Sequence, residues 1–324
     1  MCSCPRFKYA DRTVFVFGLP RSGTTWLAKI LDSHPDTIYR HEPALSLGNR
    51  ALQADRDWFE HPEEYVEVTS AWLNQLAMLR NVRTVSTVPV FRKSYRTWTQ
   101  HALRSTLIRA TKAAGLAPVL KHTVSNLRIP DFIDIGQMAK LKWVIKSINP
   151  GRNLPLFLSA APESRYVFIL RDPRSQIAST IRGLRKGRLR THAIDRQASS
   201  KQNRLELVQR LAREWRDANQ KAIEYIANRK NCYLLRHEDL VCNPDVTARN
   251  LFSFCGLDWH SETAAFLKRS MRGTWINSYF SLRRDPDEAM YGWRSELSPS
   301  EVEEIRAVVM DSEAGKLYPL SSTN

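Results

Sequence analysis

The amino-acid sequence predicts a single α/β domain in which helices flank a central parallel β-sheet. Three observations carry that prediction. Short runs rich in Val, Ile, Phe and Tyr, apolar on both faces, recur along the chain as buried parallel strands do. Segments of helical periodicity lie between them, the alternation typical of α/β folds. No internal repeat, low-complexity tract or Pro/Gly/Ser linker divides the 324 residues, so one domain is the simplest account. The expected boundaries are a tail at 1–12, the domain at 13–312 and a second tail at 313–324.

In chain order, the first strand is Thr13–Phe17. It runs into Gly18-Leu-Pro-Arg-Ser-Gly-Thr-Thr-Trp-Leu27, a glycine turn that opens a helix reaching Ser33. Pro62 to Arg80 reads as a helix. Pro118–Lys121 is a weak strand, whereas Lys142–Lys146 and Arg165–Leu170 are strong ones. Arg171 follows, and then Asp172 caps and Pro173 opens a helix. Leu207, Leu211, Trp215, Ala218, Ala222 and Ile226 recur at steps of three or four and make one apolar helix face. Cys232–Leu235 is a short fourth strand. Ser298–Met310 is a helix with a Ser-Pro start and an acidic first turn.

A hydrophobic fraction of 43% with 25% charged residues excludes a disordered or fibrous chain. No stretch approaches the ~20 apolar residues that cross a bilayer. Val14–Phe17 is too short for a signal-peptide core, so a soluble, cytoplasmic enzyme is expected. Five cysteines at irregular spacing are not a disulfide framework, and Cys2 and Cys4 have no second Cys/His pair to complete a zinc site. The formal charge of +16 leaves three readings: nucleic acid, an anionic membrane, or a polyanionic cofactor or substrate.

The glycine loop favours the last. Between a strand and a helix, successive backbone N–H groups curl round an anion and the helix N-terminus adds its positive end. The loop resembles the nucleotide-triphosphate P-loop at Gly18 and Gly23. It departs at the lysine position, which holds Thr24, while the cation moves inside the loop to Arg21. Without that lysine, triphosphate chemistry loses its main fixed charge. A second anion site follows the strand Arg165–Leu170. Arg171 ends that strand at the carboxyl edge, where open α/β sheets bind ligands, and Ser175 and Ser179 share a helix face beside it. Two anion sites on one edge imply a nucleotide with phosphates at two separated positions.

Pro20-Arg-Ser-Gly-Thr-Thr-Trp26 together with Leu170-Arg-Asp-Pro-Arg-Ser175 resembles the sulfotransferases that use 3′-phosphoadenosine 5′-phosphosulfate (PAPS). His34-Pro35, Arg40-His-Glu-Pro43, Val144-Ile-Lys-Ser147 and Leu235-Arg-His-Glu-Asp-Leu240 extend the likeness, which ends near Tyr291-Gly-Trp-Arg294. In its motifs the chain is closest to the Golgi and bacterial carbohydrate-type branch. The resemblance implies a P-loop NTPase-like sulfotransferase fold and assigns roles. Arg21 would contact the 5′-phosphosulfate and offset charge on the departing oxygen. Ser22, Gly23, Thr24 and Thr25 would cradle the 5′-phosphate, with Trp26 near the adenine or simply packed in the core. Arg171 and Ser179 would hold the 3′-phosphate, and Arg283 and Arg284 are loose further candidates. The product would be adenosine 3′,5′-bisphosphate, with no metal required.

Sulfuryl transfer is an in-line displacement, so the acceptor hydroxyl needs a base and the leaving phosphate needs positive charge. The resemblance points to Glu42 as the base, with His41 as the alternative. Lys146 assists the leaving group or orients Glu42, and an ion pair of Glu42 with Arg40 or Lys146 is the plainer reading. His237-Glu-Asp239 reads as a structural turn. Arg182–Arg190 carries five cations in nine residues and reads either as a solvated surface or as a basic flap for an anionic acceptor. The expected acceptor is a hydroxylated small molecule or glycan, contacted from Leu45–Gln100 and Gly183–Ser200. Two alternatives stand beside this reading. A P-loop small-molecule kinase is disfavoured by Thr24. A nucleic-acid binder would need aromatic residues interleaved with the cations, which the sequence lacks.

Overall fold

The computed structural model describes residues 6–48, 60–115, 123–124, 126–187, 201–271 and 285–318. Five parallel strands form one sheet: β1 (Thr13–Phe17), β2 (Thr37–His41), β3 (Lys142–Ser147), β4 (Arg165–Leu170) and β5 (Cys232–Arg236), in the order β2-β3-β1-β4-β5. Four of these match the apolar runs of the sequence. The weak candidate Pro118–Lys121 lies outside the described residues. β2 was not expected as a strand, because Thr-Ile-Tyr-Arg-His is too polar for a buried run. It is an edge strand, paired on one side only with β3, and edge strands tolerate such sequences.

Helix α1 (Thr24–Asp32) follows β1 and leads to β2 on one side of the sheet. Helices α2 (Pro43–Leu47), α3 (Val66–Met78) and α4 (Trp98–Ala114) come before β3, and α5 (Pro150–Ala160) then carries the chain to β4 on the other side. This reversal around β1 opens a crevice at the carboxyl ends of the strands, where open α/β sheets take ligands. Helix α6 (Pro173–Arg185) follows β4, with the Asp172 side chain accepting from the Arg174 N–H at 2.8 Å as the expected cap. The long α7 (Lys201–Ile226) precedes β5. After it come α8 (His237–Cys242), α9 (Pro244–Cys255), α10 (Ser261–Met271), α11 (Pro286–Tyr291), α12 (Pro299–Val309) and α13 (Glu313–Lys316). At the start of α12, Ser298 and Glu301 form a reciprocal capping box.

Alternate residues of β1 feed two cores, as strand geometry requires. Phe15 and Phe17 pack with Phe157 and Tyr166 on one face, while Val14 and Val16 pack with Trp26, Leu27 and Ile30 on the other. Both flanks of the expected domain join this packing: Phe7 and Tyr318 are buried in the first core, so the packed structure runs past residues 12 and 312. No described helix is long and apolar enough to cross a membrane.

Candidate active site

The loop between β1 and α1 is built for close approach. Arg21 and Gly23 both have positive φ, at 72° and 96°. A Cβ on Gly23 would stand 2.4 Å from Cδ2 of His237, and one on Gly18 would stand 2.6 Å from Oγ of Ser22 and 2.7 Å from the Ile169 carbonyl. Only glycine fits either position. The first bond of α1 runs from the Leu27 N–H to the Gly23 carbonyl, so the N–H groups of Thr24, Thr25 and Trp26 have no partner within the helix. That is the donor set an anion takes at a helix start.

Of the two readings left open for Trp26, the structure has the packed one: the ring is fully buried, its Nε1–H donates to Ser270 at 3.0 Å, and it meets His237 edge-on. On an α1 whose first turn faces the crevice, position 26 points into the core. Ser22 does not offer its N–H to a ligand, because that group closes a turn onto the Leu19 carbonyl at 3.1 Å. Its buried hydroxyl has no partner among the described residues. Gly23, Thr24 and the half-exposed Thr25 remain the candidates for the cradle.

Arg21 and α6 meet directly. The Arg21 Nε–H donates to Ser179 Oγ at 3.0 Å. Arg171 donates to the Arg21 carbonyl at 3.0 Å and to the Ala289 carbonyl at 2.9 Å, so it props the loop as well as lining the crevice. Its buried Nε has no partner among the described residues. Burial lowers the affinity of both Arg171 and Lys146 for their protons, and Arg21 lowers both further. Three cations therefore converge on the carboxyl ends of β1, β3 and β4. An orphaned hydroxyl, an orphaned guanidinium N–H, unspent helix N–H groups and three convergent cations are what a phosphate-bearing ligand requires.

Opposite the loop, the ends of β2 and β3 bring Glu42, His41 and Lys146 together. Lys146 is in register with His41 on one side and with Val16 on the other. Its fully buried ammonium pairs with Glu42 Oε1. Arg40 is elsewhere, paired with Asp131 on the far face of β2. Glu42 has φ 46°, a left-handed turn into α2 that aims its carboxylate back across the strand ends. His41 Nε2 lies 3.7 Å from Glu42 Oε1, and its Nδ1 is 2.8 Å from the Tyr39 hydroxyl. Burial and the nearby Lys146 hold the His41 imidazole well below its usual range, so it is neutral. Tyr39 escaped the sequence reading, although its spacing of two from His41 on a strand would have put both on one face.

A cavity of about 190 Å³ opens beside Glu42. Leu45, Trp72 and Leu156 give it an apolar wall, and Asn149, Arg152 and Asn153 a polar one. Leu45 and Trp72 fall in the segment expected to contact the acceptor. The residues from α5 do not, and nothing in their pattern separates them from a helix start.

Beneath the crevice, Glu238 accepts from the Asp172 N–H at 3.0 Å and from the Tyr318 hydroxyl at 3.2 Å, and burial pushes its carboxyl up. The segment 237–239, expected as a turn, is the first turn of α8, and its role here is structural. In the basic run, Arg182 pairs with Glu288 at 2.8 Å and Arg185 with Glu296 at 2.9 Å. Residues 188–200, and with them the rest of the expected flap, lie outside the described residues, as do Arg283 and Arg284. Among the described residues no group of His, Cys, Asp and Glu is arranged to hold a metal.

A profile described as the Sulfotransferase family matches residues 13–261. Carbohydrate sulfotransferase 7 of Rattus norvegicus is 32% identical over 96 residues, which are 29% of this chain and 20% of that protein. The match thus spans about a fifth of the curated relative's length. Among solved structures, a mouse sulfotransferase complexed with PAP covers 98% of this chain and 91% of its own, with 13% identity and a TM-score of 0.50. A sulfotransferase domain from the Synechococcus PCC 7002 olefin synthase covers 95% and 98%, with 16% identity and a TM-score of 0.46.

Proposed function

From the premise that this chain belongs to the sulfotransferase family, we propose that it moves a sulfuryl group from PAPS to a hydroxyl on a carbohydrate. One observation carries the donor half: the cradle of Gly23, Thr24 and Thr25 faces a crevice onto which Arg21, Lys146 and Arg171 converge. A 3′,5′-bisphosphorylated adenosine presents two separated anions to such a set. The acceptor half is supported by the cavity beside Glu42, which Leu45, Trp72 and Leu156 line with apolar surface and Asn149 and Arg152 with polar groups, a combination suited to a sugar ring. The printed name of the rat relative agrees with that class.

In this reading Glu42 takes the acceptor proton. The acceptor oxygen forms its bond to sulfur as the bond from sulfur to the 5′-phosphate oxygen breaks, and that oxygen keeps the electron pair opposite Arg21 and Lys146. Lys146 serves both partners: it orients Glu42 in the resting site and faces the developing charge during transfer. Tyr39 donates to Nδ1 of His41, a tautomer we assign from the hydrogen-bond chain. The imidazole then carries its proton on Nε2 towards Glu42, so it positions the carboxylate and does not compete as the base.

Incubation with PAPS and a panel of glycans and small alcohols, followed for adenosine 3′,5′-bisphosphate, tests the proposal. Release that depends on a sugar acceptor supports it. ADP formation from ATP and magnesium instead, or no calorimetric heat with adenosine 3′,5′-bisphosphate at millimolar concentration, removes the donor assignment.

A further inference from the structure

On the outer side of β2, away from the crevice, lies a second group of buried charges. Asp32, at the end of α1, pairs with Lys29 at 2.6 Å and with Lys93 at 2.9 Å. Asp131 pairs with Arg40 at 2.5 Å and Arg104 at 3.4 Å, and reaches Arg96 at 4.0 Å. All seven side chains are buried, and all seven line one cavity of about 30 Å³. A water needs roughly 10–15 Å³ on this measure, so the space holds two or three waters or one halide-sized ion.

The charges do not balance. Five cations surround two carboxylates, and no other carboxylate is among the described residues lining the cavity. Burial pushes the Lys93 ammonium down to about 8, even with Asp32 beside it, and the Arg104 guanidinium down to about 10, with Arg96 adding repulsion. Burial lowers the proton affinity of Lys29 as well, against the attraction of Asp32; with or without its charge, the cations outnumber the two carboxylates. Lys93 spends its three N–H groups on the Asp32 and His34 carbonyls and the Thr37 hydroxyl, whereas Arg96 donates from Nε and Nη2 and Arg104 from Nη1. Buried positive charge without a counter-charge is strongly unfavourable, and a cavity lined by such an excess is where a counter-ion sits.

We propose that this cavity binds a small inorganic monoanion of halide size, a structural site separate from the donor crevice and independent of the reaction proposed above. The anion neutralises part of the excess charge and locks the segment around Lys93, Arg96 and Asp131 onto edge strand β2.

Bromide is the probe. Crystals grown in sodium bromide and measured at the bromine absorption edge should show an anomalous peak in the cavity beside Arg96 and Arg104. In solution, the melting temperature of the full chain should rise by about 2 °C for each tenfold increase in bromide above its dissociation constant. Ionic strength is held constant with a large organic anion. Arg104→Gln should lose that slope, and Lys93→Met serves as the second variant if the first does not fold. Any bromide taken by the phosphate cradle raises wild type and variants equally and cancels in the difference. An anomalous map without a peak in the cavity overturns the proposal, as does an equal slope in wild type and variants. If neither variant folds, the map alone decides.

Discussion

Replacing Gly23 with alanine places two separable strains on the loop. The first is local: φ is 96°, and an L-residue there costs about 1–2 kcal/mol. The second is steric. The new Cβ would stand 2.4 Å from Cδ2 of His237, a side chain with no exposed surface and with its ring edge-on to Trp26, so it cannot swing aside. Overpacking of that kind costs about 1–3 kcal/mol, for a total near 2–5 kcal/mol. At about 2.1 cal/mol/K of unfolding entropy per residue, a chain of this length should lose about 3–7 °C in melting temperature. Calorimetry on Gly23→Ala, His237→Ala and the double variant separates the two strains. His237→Ala destabilises alone by leaving a cavity, but the double variant should recover the steric share, giving a coupling of about 1–3 kcal/mol. A Gly23→Ala protein melting within about 1 °C of wild type, or strict additivity in the cycle, would refute the packing argument.

Four further outcomes are expected. Arg21→Ala should lower the transfer rate by at least about 10²-fold, because it removes a fixed donor from the site of developing charge; near wild-type turnover would end its assignment. Glu42→Gln should lower kcat while leaving affinity for adenosine 3′,5′-bisphosphate within about threefold, since the carboxylate lies across the crevice from the cradle; collapse of that affinity would make Glu42 structural. Trp26→Phe should cost about 1 kcal/mol of stability through the lost bond to Ser270 and leave nucleotide affinity unchanged, whereas a tenfold loss of affinity at unaltered stability would contradict its burial. Burial pushes the Asp32 carboxyl up, but Lys29 and Lys93 more than reverse this and hold it at about 2, against 3.8 for the free group. Its contribution of about 2 kcal/mol is therefore complete above pH 3.8 and is lost as pH falls through 2. A carboxyl titration of Asp32 by NMR with an ordinary midpoint would show the ion pairs to be absent.

The buried strands were legible because their apolar runs are continuous, and the two helix starts at Asp172 and Ser298 because capping chemistry is local. β2 was not, since an edge strand carries half of the pairing and little of the apolar signal. The phosphate loop could be read from Gly18, Arg21 and Gly23, as strand, turn and helix start adjoin in sequence. Trp26 shows the limit of that reading: whether position 26 faces ligand or core depends on which way α1 packs, which its neighbours along the chain do not encode. The Glu42–Lys146 pair was among the alternatives, yet choosing Lys146 over Arg40 required the β2–β3 register. The cavity beside Glu42 was half visible, because Asn149, Arg152 and Asn153 meet Trp72 only through tertiary packing.

Glu238 gives the crevice a dependence on the far end of the polypeptide. Its carboxylate holds the first turn of α6 with one oxygen and Tyr318 with the other. During synthesis, residue 318 is made after the phosphate loop and after Glu238, so the helix start that Glu238 holds gains its last support only then. A chain terminated just before Tyr318 should leave the ribosome with its cradle intact and its partner helix loosely seated, and should grip nucleotide poorly although every residue that touches the ligand is present.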